Sequence, residues 1–89
     1  MKWKDSTSYE RDERGEVEPR SWDLEIAGLR IIVHRYNGLE GWFGSCYAMG
    51  VERRQLAATD LGEAKIEFVH YLRLRAKHWC DKLTAADRP

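Results

Sequence analysis

Between Asp60 and Leu83 apolar residues recur at every third or fourth position: Leu61, Ala64, Phe68, Leu72, Ala76, Trp79 and Leu83. That spacing places them on one face of an α-helix, with Val69 and Cys80 widening the stripe. Glu67, His70, Arg73, Lys77, His78 and Asp81 fall mainly on the opposite side. Asp60 stands where an N-cap belongs, and Glu63 follows three residues later as in a capping box. Lys77 and Lys82 suit the negative end of the helix dipole. A helix so one-sided needs an apolar floor, which the preceding residues must supply. Phe68 and Trp79 are expected to carry that contact, with Trp79 sealing the far end of the core.

The floor reads as strands. Trp22, Leu24 and Ile26 alternate with Asp23 and Glu25, the period of a half-buried strand. Ala27-Gly28 supplies a tight turn, since Gly28 takes positive φ at little cost. Leu29 to Tyr36 follows, with Leu29, Ile31 and Val33 towards the core and Arg30, Ile32, His34 and Tyr36 away from it. Asn37 to Gly41 is a loop by its turn chemistry. Trp42 to Met49 reads as a third, aromatic-rich strand, and Val51 to Ala58 as a fourth at the sheet edge, where Arg53 and Arg54 discourage unwanted pairing. The expected fold class is α+β: an antiparallel three- to four-stranded meander packed against one long C-terminal helix. Residues 1–20, rich in charge and without periodicity, form a polar and mobile N-terminal tail, and residues 21–89 a single domain.

At 89 residues the chain builds one core and little else, which favours a shallow binding surface over a deep cleft. Fifteen basic residues balance fifteen acidic ones, whereas nucleic-acid binders usually carry a basic excess to displace counterions. Ile31-Ile32-Val33 is far too short to cross a bilayer, and no apolar leader is visible, so no membrane partner and a cytoplasmic location are expected. Cys46 and Cys80 have no CxxC spacing and read as two reduced thiols.

Catalytic chemistry needs a nucleophile beside a base, paired carboxylates or a metal cluster. His70 and His78 are two helical turns apart, too far to share a metal as an i, i+4 pair does. Gly38, Gly41 and Gly44 lack the Lys-Ser/Thr and the strand–loop–helix context of a phosphate loop and read as turn and bend residues. A dyad of Cys46 with His34 on adjacent strands lacks a third group. No catalytic residue, metal ligand or cofactor is therefore expected, and the chain reads as non-enzymatic.

The binding candidates are Arg30, Ile32, His34 and Tyr36 on the sheet face away from the helix, with whichever of Trp42 and Phe43 points outward. Arg and aromatic side chains on a rigid sheet suit protein recognition, because they lose little freedom at an interface. Arg53 and Arg54 complete the candidate set, as part of a basic group with Arg73, Arg75 and Lys77. A protein partner is the leading expectation, and self-association into a homodimer through the sheet or its edge is a further one.

From Leu29 to Arg75 the order is strand, turn, Trp-containing strand, turn, strand, then a helix entered through Asp60-Leu61-Gly62-Glu63-Ala64-Lys65. This resembles the sheet-and-helix DNA-binding domains of ethylene-response factors and phage integrase arms. That resemblance implies Arg30, Arg35, Trp42 and Arg54 as groove contacts and gives the alternative function. In size and layout the chain also resembles the small inhibitors and accessory proteins of phages and mobile elements, anti-CRISPR proteins among them. That resemblance implies steric occlusion of a protein partner.

Overall fold

The computed structural model describes residues 2–7, 20–36 and 39–87. Five antiparallel strands follow one another in space as in sequence: β1 (Lys4–Asp5), β2 (Ser21–Ile26), β3 (Leu29–His34), β4 (Phe43–Cys46) and β5 (Val51–Gln55). A one-turn 3₁₀ helix, Tyr47–Met49, joins β4 to β5, and the helix α1 runs from Leu61 to Ala86. This is the expected α+β meander with one strand more. The additional strand comes from residues read as tail: Lys4 pairs with Asp23 and Asp5 with Trp22. Trp3 packs against the core and Ser6 donates to the Asp23 carboxylate at 2.6 Å. The expectation of a mobile tail at residues 8–19, and of a loop at Asn37 and Gly38, falls outside the described residues.

The β2–β3 hairpin forms as its alternation dictates. Ile26 pairs with Leu29 across Ala27 and Gly28, both of which take positive φ (50° and 82°). That is the mirror-image turn whose twist matches flanking strands. Leu24, Ile31 and Val33 are buried on the helix side. Asp60 caps α1 as expected, its Oδ2 accepting from the Glu63 N–H at 3.1 Å.

The helix meets the sheet through Ala64, Phe68 and Leu72, over a core that also includes Trp42, Cys46, Met49, Val51 and Leu56. The Phe68 ring lies flat on Gly44. A Cβ there would collide with the Phe68 ring, so Gly44 is a site of close helix–sheet packing rather than a bend. Glu67, expected to face solvent, accepts the backbone N–H groups of Ala57 (2.9 Å) and Ala58 (2.8 Å) and ties the β5–α1 connection to the first turns of the helix.

Two expectations are corrected here. The third strand is shorter than expected, because Tyr47–Met49 turns into a 3₁₀ helix. Trp79 does not seal the core. Every residue from Ala76 to Asp87 is exposed, Leu83 at 70%. The helix is about 39 Å long at 1.5 Å per residue, and its exposed last turns run past the sheet. Arg75, whose Nε donates to the Met49 carbonyl at 2.9 Å, ties the middle of the helix to the sheet body. The long axis accordingly spans 61 Å against 25 and 19 Å for the others.

Candidate recognition surface

The sheet face opposite α1 carries an aromatic cluster built by strand parity. Ile32 and His34 on β3 stand across from Ser45 and Phe43 on β4. Tyr36, just beyond β3, meets His34 edge-on with ring centroids 4.7 Å apart and Phe43 at 5.3 Å. Phe43, not Trp42, is the outward ring. Trp42 is 6% exposed in the core, and its indole N–H donates to the Thr59 carbonyl at 3.2 Å.

Arg53 reaches this cluster through an irregularity. Gly44 pairs with Arg54 but Cys46 with Val51, so β5 spends three residue steps where β4 spends two. The bulge holds Arg53 at φ 51°, a conformation that L side chains rarely adopt. Its guanidinium then lies 5.7 Å from the centre of the Tyr36 ring, and its backbone N–H donates to Ser45 Oγ at 3.0 Å. Ser45 is fully buried, and its Oγ stands 3.0 Å from His34 Nε2. The chain of bonds is satisfied when the Ser45 hydroxyl accepts from Arg53 and donates to a neutral His34 ring.

Burial of the ring and repulsion from Arg53 hold His34 below the usual histidine pKa, with Asp23 pulling weakly the other way. The folded state therefore disfavours protonation relative to the unfolded chain. The contribution of neutral His34 is fully present above about pH 6.5 and is lost as pH falls through the lowered folded value. Denaturant titrations should show stability falling more steeply between pH 7 and pH 5 for the native chain than for His34→Gln. Equal slopes for the two would show that folding leaves the pKa of His34 unchanged.

Ser45 and His34 have the contact of a nucleophile with its base, but Ser45 exposes no surface, so its oxygen is closed to a substrate in this conformation. Cys46 is buried on the helix side of the sheet, away from His34, and Cys80 is exposed on α1; both are free thiols. Among the described residues no group of three His, Cys, Asp or Glu side chains could hold a metal ion. Among the described residues no helix is long and apolar enough to cross a membrane.

Beside the aromatic cluster lies an open hollow of about 400 Å³. Ile32, His34 and Tyr36 form one wall, Tyr47 (61% exposed) another, and Thr7, Arg20 and Ser21 the polar rim. Thr7 Oγ1 holds that rim by accepting the backbone N–H groups of Arg20 (2.7 Å) and Ser21 (3.0 Å). Arg30 stands further along the same face, its Nε donating to Asp23 at 2.5 Å.

The structure thus gathers Arg30, Ile32, His34, Tyr36 and Arg53 on one face and removes two of the expected residues. Trp42 is in the core, and Arg54 stacks 4.0 Å over Tyr71 of α1 on the other side of the sheet. The basic group divides likewise. Arg75 is tied to Met49, and Arg73 lines a groove with Trp3, away from Arg53. The groove contacts implied by the DNA-binding resemblance, Arg30, Arg35, Trp42 and Arg54, do not converge: Arg35 lies over the buried Trp42 ring at 5.3 Å and Arg54 over Tyr71. Phe43, Ser45 and Tyr47 are the site residues that strand alternation alone did not assign.

No known protein family, curated protein or solved structure matches the chain.

Proposed function

We propose that the chain is a non-enzymatic protein-binding module whose recognition surface is the open sheet face centred on His34, Tyr36, Phe43 and Arg53. The observation that carries this reading is the ring cluster itself, left uncovered by the helix and clasped by a guanidinium aimed by a bulge. Rigid rings beside an arginine are the usual anchors of protein interfaces, and the hollow next to them offers a pocket for a partner's side chain. Arg30 with Asp23 and the rim of Thr7, Arg20 and Ser21 supply mixed charge and polarity for orientation. The mechanism is steric: the face covers a partner surface that another molecule needs. That is how the inhibitors and accessory proteins of phages and mobile elements act, the class the layout resembles.

The test is a partner isolated on the immobilised native chain and then titrated as a purified protein against Tyr36→Ala, Phe43→Ala and Arg53→Glu. At least one of the ring truncations should weaken binding about 30-fold or more, as hot-spot residues do. Affinity unchanged in all three, with their melting curves intact, would assign recognition to another surface. Short duplex DNA serves as the control: retention at low salt that vanishes steeply at moderate salt would favour the nucleic-acid alternative.

A further inference from the structure

Beyond Arg75 the helix keeps its apolar stripe, and from Ala76 to Asp87 every residue is exposed. Leu72, Ala76, Trp79, Leu83 and Ala86 are spaced four, three, four and three residues apart, the repeat of a helix that packs on another helix. Leu72 is buried by the sheet, whereas Trp79 is 39% and Leu83 70% exposed. A free stretch of this length is marginally helical in water and is stabilised by cover along its apolar side.

We propose that this overhang pairs antiparallel with the same segment of a second copy of the chain. Direction follows from sterics. The sheet occupies the same side of the helix over its first half, so a parallel partner would run into it. An antiparallel partner keeps its own sheet at the opposite end.

The register follows from the spacing. Trp79 stacks on Leu83 of the second copy, and Ala76 on Ala86, with both contacts repeated by the two-fold axis. On one flank of that seam stand Arg73, Cys80 and Asp87. The same register sets Arg73 against Asp87 of the second copy, twice, and the two Cys80 side chains against each other near the axis. On the other flank Lys82 meets its own copy, an exposed like-charge contact that water screens. Arg75 is withdrawn from that flank by its bond to Met49 and its place 5.3 Å from the Trp79 ring. Self-complementary charge on one side of an apolar seam is what a two-fold pairing requires. The paired segments are short, so the interface is small and the dimer weak and concentration-dependent.

Sedimentation equilibrium of the full chain tests the pairing between about 10 μM and about 1 mM, the range in which small interfaces dissociate. A reversible monomer–dimer equilibrium is expected, lost in Trp79→Glu and Leu83→Glu, with thermal melts of the dilute variants unchanged. Arg73→Asp should raise the dissociation constant about fivefold by setting like charges together, and adding Asp87→Arg should restore it. Oxidised glutathione should convert the dimer to a Cys80–Cys80 disulfide, two thiols being oxidised as one glutathione disulfide is reduced to two thiols; Cys80→Ser prevents it. A chain monomeric throughout, or a dimer that survives Trp79→Glu, overturns the proposal. So does a dimer indifferent to Arg73→Asp that does not cross-link through Cys80, since that is the behaviour of another register.

Discussion

Phe68→Ala is expected to cost about 3–5 kcal/mol, out of the roughly 5–12 kcal/mol that a domain of this size commands. The reason is geometric. Phe68 has no exposed surface, its ring sits on Gly44, and it stacks on Tyr71 with centroids 6.2 Å apart. Neither neighbour can close the void, because glycine has no side chain to extend and Tyr71 is held beneath the Arg54 guanidinium. Loss of transfer free energy and a persistent cavity therefore add. Trp79→Ala removes a larger ring, yet dilute samples should lose no more than about 1 kcal/mol, since that ring lies beyond the sheet. Denaturant titrations of both variants at micromolar concentration read the difference directly. A larger loss at Trp79 than at Phe68 would mean that the helix docks through its second half. That contrast cannot be drawn from sequence, where both residues occupy the same stripe.

The helix illustrates what periodicity tells and what it leaves out. It assigns the apolar face of α1, and the Asp60 cap marks where the helix starts, because both depend on residues within a turn of each other. What covers each part of that face depends on sheet width, which no local pattern contains. Glu67 was misplaced for a related reason: its partners, Ala57 and Ala58, come from across a chain reversal. Strand parity was legible wherever polar and apolar residues alternate, as in Trp22–Ile26 and Leu29–His34, and these two strands place Arg30, Ile32 and His34 on the open face. The run from Trp42 to Met49 has no such alternation, so the sequence could not decide between Trp42 and Phe43. The tie is broken by the helix, which needs a glycine under Phe68. That places Gly44 inward, Phe43 outward and Trp42 inward. The bulge at Arg53 has no signature in its neighbours, and with it went the separation of Arg53 from Arg54. β1 is two residues long, too short to show a period.

The same close contact makes Gly44→Ala the most informative small change in the molecule. Gly44 lies in an interior strand without positive φ, so alanine fits its backbone and would ordinarily stabilise the strand by about 0.5–1 kcal/mol. Here the added methyl would stand 2.4, 2.5 and 2.6 Å from three atoms of the Phe68 ring. A ring cannot yield as the end of a flexible chain does, and this one is enclosed on all sides. Relief requires the helix to lift from β4, which loosens Ala64 and Leu72 as well. The expected loss is about 3 kcal/mol, at the upper end of overpacking penalties, because the backbone gain offsets little of it. Trimming the ring should reverse the sign of the interaction. Gly44→Ala combined with Phe68→Leu should be markedly more stable than the sum of the two single losses, a coupling of at least about 1 kcal/mol in a double-mutant cycle. Simple additivity, or a neutral Gly44→Ala, would mean that Phe68 does not lie on β4. The open face could then not be assigned by its contrast with this one, because the inward placement of Gly44 is what turns Phe43 towards His34 and Tyr36.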